Sequence, residues 1–311
     1  MKRDFLTLDD VTRPELEALL QSAARLKDYL KCDIPHRFLE GQTLGMIFKK
    51  PSSRTRVSFE IGMFQLGGLA LFLNNQDLGM GVRESVADIG RLFSRYLDGI
   101  VIRTFAHEEV EELARHATIP VINALDDEEH PCQIVADYLT IHEAFGKLKG
   151  LEFAYIGDGD NNTAHSYLLG APIAGMNVRI LSPDGYQPGA EWVERANALA
   201  KKYGTKVMIG ELNEKNLKGV DVVATDTWVS MGDEREESRR VKAFTGYTID
   251  DTVMGWTGKK TTKFLHCLPA HYGQEVTHAV GHGPQSLIFD EAENRLWAQM
   301  AILCDLLGLR P

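Results

Sequence analysis

The chain has 311 residues, 44% of them hydrophobic and 25% charged, with a formal net charge of -10. This is the balance of a soluble globular protein long enough for two domains, and its acidity excludes a general binder of nucleic acid or anionic membrane, which needs a basic face. Met1-Lys2-Arg3-Asp4-Phe5-Leu6 leads into charged residues rather than an apolar core, and no later apolar run approaches the roughly 20 residues of a membrane span, so a cytoplasmic location is expected.

In chain order, Arg13-Pro14-Glu15 opens a helix with Pro14 in its first turn and Leu16, Leu19, Leu20, Ala23 and Leu26 on one face. Strands are predicted over Thr43 to Phe48, Gly99 to Arg103, Pro120 to Asn123, Glu152 to Ile156, Val178 to Leu181, Val220 to Thr225 and Lys263 to His266. Most run into a polar or Gly-containing turn and then helical spacing. This alternation predicts an α/β protein with two doubly wound parallel-sheet domains and an active site in the cleft between them. The expected domains are residues 1–133 and 134–291. A long helix from His130 to Phe145 joins them, and a last helix, residues 292–311, packs back onto the first.

Ligands in such sheets gather at the carboxyl ends of strands, and several motifs fall there. After the strand ending at Phe48, Ser52-Ser53-Arg54-Thr55-Arg56 is followed by Val57, Ile61 and Phe64 at helical spacing. The polar run is therefore the first turn of a helix, where unpaired N-H groups, hydroxyls and guanidinium forks suit a phosphate dianion. A plain N-cap with solvated arginines would need only one of these five side chains. Arg103 ends the next strand. His130 and Gln133 stand one turn apart at another helix start, placed to face one ligand.

Gly157-Asp158-Gly159-Asp160-Asn161-Asn162 follows a strand, yet the third glycine of a dinucleotide fingerprint would fall on Asn162, which excludes a nicotinamide site. Asn162 can instead exchange hydrogen bonds with an amino acid. Asp226 opens Asp226-Thr227-Trp228-Val229-Ser230-Met231-Gly232, offering a carboxylate to an ammonium group, and Cys267 sits at a strand end in His266-Cys267-Leu268-Pro269. The four cysteines, Cys32, Cys132, Cys267 and Cys304, form no CxxC pair, so reduced thiols are expected and neither a zinc knuckle nor a dithiol motif is indicated.

Taken in order, the Ser52 to Arg56 run with Val57-Ser58-Phe59-Glu60, His130-Pro131-Cys132-Gln133, Asp226 to Gly232, His266-Cys267-Leu268-Pro269 and Glu293-Asn294-Arg295 resemble the carbamoyltransferase family over nearly the whole chain. The Ser230-Met231-Gly232 loop and Cys267 resemble its ornithine-using branch. The resemblance implies transfer of the carbamoyl group of carbamoyl phosphate to the δ-amine of L-ornithine, without metal or organic cofactor, in a homotrimer or a multiple of trimers. It implies a carbamoyl phosphate site of Ser52, Ser53, Arg54, Thr55, Arg103, His130, Gln133, Cys267, Leu268 and Arg295. Asn162, Asp226, Ser230 and Met231 are implied to bind ornithine, and Cys267, Arg103, His130 and Asp226 to serve catalysis. A residue of a neighbouring subunit is implied near Gly79, where Gln76 or Arg83 would make the contact. The alternatives are a carbamoyltransferase for a modified ornithine or another amine, and a silent ligand-binding relative.

Overall fold

The computed structural model describes residues 2–229 and 234–308. The chain divides into two compact units, Met1–Leu139 with Glu293–Pro311 and Thr140–Ala292, the division falling inside the Pro131–Phe145 and Ile288–Leu306 helices.

The first unit is built on a four-stranded parallel sheet of β1 (Thr43–Phe48), β2 (Leu69–Asn74), β3 (Gly99–Arg103) and β4 (Val121–Leu125), in the order β2-β1-β3-β4. All five residues of β3 and of β4 are buried, as expected for parallel strands covered on both faces. Ile47, Ile100 and Ile102 pack with Ile89, Val110 and Leu113 from flanking helices to form the core. Thr12 and Glu15 close a capping box at the start of the Arg13–Lys31 helix. The C-terminal helix belongs to this unit from Glu293 onward. Asn294 accepts from Lys27 at 2.8 Å, Asp305 from Arg3 at 2.9 Å, and a Cβ on Gly62 would lie 3.0 Å from Met300.

The Ser53–Gln65 helix is apolar on two sides. Phe59 and Met63 are fully buried, whereas Val57, Ile61 and Phe64 are 55%, 43% and 74% exposed. Leu69 and Leu71 of the edge strand β2 are exposed as well. The residues that announce the helical period in the sequence are thus its outward ones.

The second unit carries a five-stranded parallel sheet of β5 (Glu152–Ile156), β6 (Asn177–Leu181), β7 (Val207–Gly210), β8 (Val222–Thr225) and β9 (Lys263–His266), in the order β7-β6-β5-β8-β9. Ala154, Ile156, Val223 and Phe264 meet Leu217, Val253 and Val280 in its core. Both sheets are doubly wound. The strand order reverses between β1 and β3 in the first and between β5 and β8 in the second. These switch points are where the loops of such sheets diverge and leave room for a ligand.

Candidate active site

In the first unit, the loops leaving the switch point after β1 and β3 bring the predicted phosphate residues together. Phe48 and Arg103 are register partners, and Lys49 N donates to Arg103 O at 2.8 Å, so both chain exits leave the sheet side by side. Ser52 is the N-cap of the Ser53–Gln65 helix, its Oγ accepting from Thr55 N at 3.3 Å. Thr55 is buried, while Ser53 and Arg54 stand exposed at the first turn. Arg56 departs from the expected cradle. Its Nε pairs with Glu60 at 2.9 Å and its guanidinium lies 3.9 Å over the Phe72 ring.

Arg295, buried on the C-terminal helix, ties the group together. Its Nη2 donates to Thr55 Oγ1 at 3.1 Å, and its Nη1 donates to Gln133 Oε1 and faces His130 Nε2 at 3.3 Å. Gln133 Nε2 in turn donates to Asp137 at 2.8 Å. Burial holds the His130 imidazole well below its ordinary range, and the cations Arg295, Arg103, Arg54 and Lys50 push the same way. His130 is therefore neutral at pH 7. An arginine only donates, so Nε2 accepts and the ring proton sits on Nδ1. The group presents a neutral donor among four cations, an environment suited to a dianion.

The loop before His130 is fixed by Asp126, a residue the sequence did not single out. Its buried carboxylate accepts from Asn123 Nδ2, Glu128 N and Glu129 N at 2.7–2.8 Å and pairs with His107 Nδ1 at 2.6 Å. Burial alone would lower the His107 imidazole. The hydrogen bond to Asp126, with the charges of Asp126, Glu128 and Glu129, outweighs it and raises the value to about 9.

Gly79 ends the short Asn75–Leu78 helix with φ 66°, a conformation glycine adopts without strain. Arg83 folds back over this turn, donating to the carbonyls of Asp77 and Leu78, whereas Gln76 is exposed.

In the second unit, the switch-point loops after β5, β8 and β9 place the acceptor residues. Thr225 and His266 are register partners, so the residues that follow them, Asp226 and Cys267, emerge together. Cys267 Sγ donates to Asp226 Oδ1 at 3.2 Å, Thr227 N donates to the same oxygen at 2.8 Å, and Thr163 Oγ1 donates to Oδ2 at 3.0 Å. Asn161 is the N-cap of the Asn162–Ala174 helix. Its Oδ1 accepts from Ala164 N and its Nδ2 donates to Tyr155 OH. Asn162, one residue on, is only half-buried, and its side-chain amide lies 3.3 Å from Thr163 Oγ1. The glycines of the preceding loop have local duties: Gly157 adopts φ 143°, and a Cβ on Gly159 would lie 2.5 Å from Ser182 Oγ.

His266 braces the turn that carries Cys267 and Leu268. Leu268 N donates to Nδ1 at 2.9 Å, which leaves Nε2 as the protonated nitrogen facing Glu275 at 3.1 Å. Leu268 itself is held at φ 57°. The donor atoms of Asp226, His266 and Cys267 lie within 4.8 Å of one another, a spacing that could hold a metal ion, but both His266 nitrogens are committed. Trp228 stacks on Phe244, and Arg240 Nη1 donates both to Trp228 O and to buried Asp158 at 2.5 Å. The predicted ligands Ser230 and Met231 lie outside the described residues.

The comparisons with known proteins agree with this layout. A family model described as the carbamoyl-P binding domain of aspartate/ornithine carbamoyltransferase matches residues 3–143, and one described as its Asp/Orn binding domain matches residues 149–306. The ornithine carbamoyltransferase of Symbiobacterium thermophilum is 53% identical over 301 residues, covering 97% of this chain and 96% of its own. That of Methanoculleus marisnigri is 46% identical over 308 residues, with coverages of 99% and 98%. Among solved structures, ornithine carbamoyltransferase from Pyrococcus furiosus superimposes with a TM-score of 0.94 at 45% identity, covering 99% of this chain and 97% of that one. This chain belongs to the aspartate/ornithine carbamoyltransferase family.

Proposed function

We propose that the chain transfers the carbamoyl group of carbamoyl phosphate to the δ-amine of L-ornithine, giving L-citrulline and phosphate. The observation that carries the choice of acceptor is the Cys267 to Asp226 hydrogen bond at the ends of β8 and β9, since an anion cradle alone would serve any user of carbamoyl phosphate. In this reading Ser52, Ser53, Arg54 and Thr55 hold the phosphate, with Arg103, His130, Gln133 and Arg295 completing the donor site. Asn162, Asp226, Ser230 and Met231 hold ornithine. Cys267 and Leu268 meet both substrates.

The δ-amine is mostly protonated at neutral pH, by analogy with lysine near 10.4, and only the neutral amine attacks. Asp226 and Cys267 orient it and assist loss of its proton. A C–N bond forms at the carbamoyl carbon, negative charge builds on the carbamoyl oxygen, and the C–O bond to phosphate then breaks with its electron pair leaving on phosphate, which takes the second proton that the attacking nitrogen sheds. The Nδ1–H of neutral His130, with Thr55 and Arg103, supplies the preorganised donors that such a charge needs. No step calls for a metal or an organic cofactor.

The family relation supports placing the reaction in arginine metabolism. Thiols at Cys32, Cys132, Cys267 and Cys304 support a reducing, cytoplasmic setting, and among the described residues no helix is long and apolar enough to cross a membrane. The outward face of Val57, Ile61 and Phe64, flanked by Leu69 and Leu71 of β2, supports a homotrimer joined through the first unit. The deciding assay mixes purified protein with carbamoyl phosphate and ornithine, N-acetylornithine, putrescine or aspartate and measures the ureido product. Citrulline from ornithine alone is expected; none between neutral and mildly alkaline pH would overturn the reading.

A further inference from the structure

In the second unit, Thr277 caps a short helix, His278–Gly281, and His282 closes it. His278 and His282 are four residues apart and share one side of this turn. Their rings stack with centroids 4.2 Å apart and planes at 20°. Both side chains are exposed, and among the described residues no hydrogen bond reaches either ring.

The pair is framed by aromatic neighbours. The Tyr272 ring lies 5.2 Å from His278 and 5.3 Å from His282, and Phe289 lies 5.7 Å from His282. Gly281 makes this possible, because a Cβ there would sit 2.8 Å from a Tyr272 ring carbon. The frame holds two imidazoles together without using their nitrogens. This contrasts with His266, whose two nitrogens are both engaged.

We propose that His278 and His282 form a bidentate surface site for a divalent transition-metal ion of the zinc, nickel or copper class. Neutral imidazole is a borderline ligand that suits these ions and not calcium or magnesium, which favour oxygen. Chelation turns the two exposed rings out of their stack until one nitrogen of each points at a common ion, at metal-nitrogen distances of about 2.0–2.1 Å. Water fills the remaining positions. Neither histidine is among the residues assigned to carbamoyl transfer.

The test uses the full chain without an affinity tag on a nickel-charged iminodiacetate resin. Wild type is expected to be retained and released by imidazole; H278N and H282N are each expected to lose retention, while H142A, which removes an exposed histidine elsewhere, keeps it. Calorimetric titration with zinc chloride in a C267S background, where the thiol cannot contribute, is expected to show one ion per chain and none in the double variant H278N/H282N. Unchanged unfolding midpoints confirm that the variants fold. Flow-through of wild type, or zinc binding that survives in the double variant, would overturn the proposal.

Discussion

Cys267 Sγ donates to Asp226 Oδ1 across 3.2 Å, joining the first residues beyond two adjacent parallel strands. The carboxylate takes two further hydrogen bonds, from Thr227 N and Thr163 Oγ1, so its position is fixed before any ligand arrives. Asp226→Asn keeps the shape and removes the charge. We expect kcat/KM for ornithine to fall about 100-fold or more, in the range of a lost acid-base or orienting group. The KM for carbamoyl phosphate should move far less. Steady-state kinetics with each substrate varied in turn separates the two effects.

Arg54 is exposed and Arg295 buried, and the difference predicts different failures. Arg54→Ala removes a charged donor from the helix start, so carbamoyl phosphate affinity should drop roughly tenfold to a hundredfold, from about 1.5–3 kcal/mol for such a bond, with the thermal midpoint unchanged. Arg295→Met leaves Thr55, Gln133 and His130 without their common donor, so it should lower both affinity and thermal midpoint. Calorimetric titration and thermal unfolding of both variants check this.

His107 gives the fold a pH dependence whose sign follows from the direction of its shift. Its value in the folded chain, about 9, lies above the ordinary 6.5. The stabilisation is therefore complete below about 6.5, declines as pH rises, and is gone above about 9. Urea midpoints measured across that interval should fall for the wild type. His107→Gln, which retains a donor but does not titrate, should flatten this part of the profile. An equal slope in both proteins would remove His107 as its source.

Phe64 is 74% exposed at the end of a row begun by Val57 and Ile61. A charge there opposes burial in any assembly but costs the isolated chain little. Phe64→Asp is expected to shift the mass by light scattering from about three chains toward one, with far-UV circular dichroism preserved. The opposite face tests specificity: Phe59→Ala empties a fully buried site and should cost about 3–5 kcal/mol of stability.

Much of this architecture was legible in the residues. β1, β3, β5 and β9 have the predicted limits, because each is a short apolar run bounded by turn residues. β2 and β7 were not predicted. The first is an edge strand with apolar residues on both faces, which hides the alternation, and the second is four half-buried residues ending in Gly210. The Ser52 to Arg56 run and the Asp226 and Cys267 strand ends stood out because polar and ionisable side chains gather at element boundaries there. Arg56 misled, since composition cannot tell a guanidinium aimed at a ligand from one resting on Phe72. Asp126, Thr163 and Glu275 were invisible for a related reason. Each acts by orienting another residue, through a side-chain pairing that exists only once the chain is folded.

The four cations around His130 have a thermodynamic side. Like charges gathered in one place repel one another, and a bound dianion relieves that repulsion, while Lys50 is also paired with Asp127. Inorganic phosphate, the proposed product, has the same charge and oxygens as the leaving half of the donor. It should raise the melting temperature as its concentration climbs, by mass action on the folded state. Its competition with carbamoyl phosphate then becomes a property of the electrostatics, and the forward rate in a cell would track the ratio of the two anions.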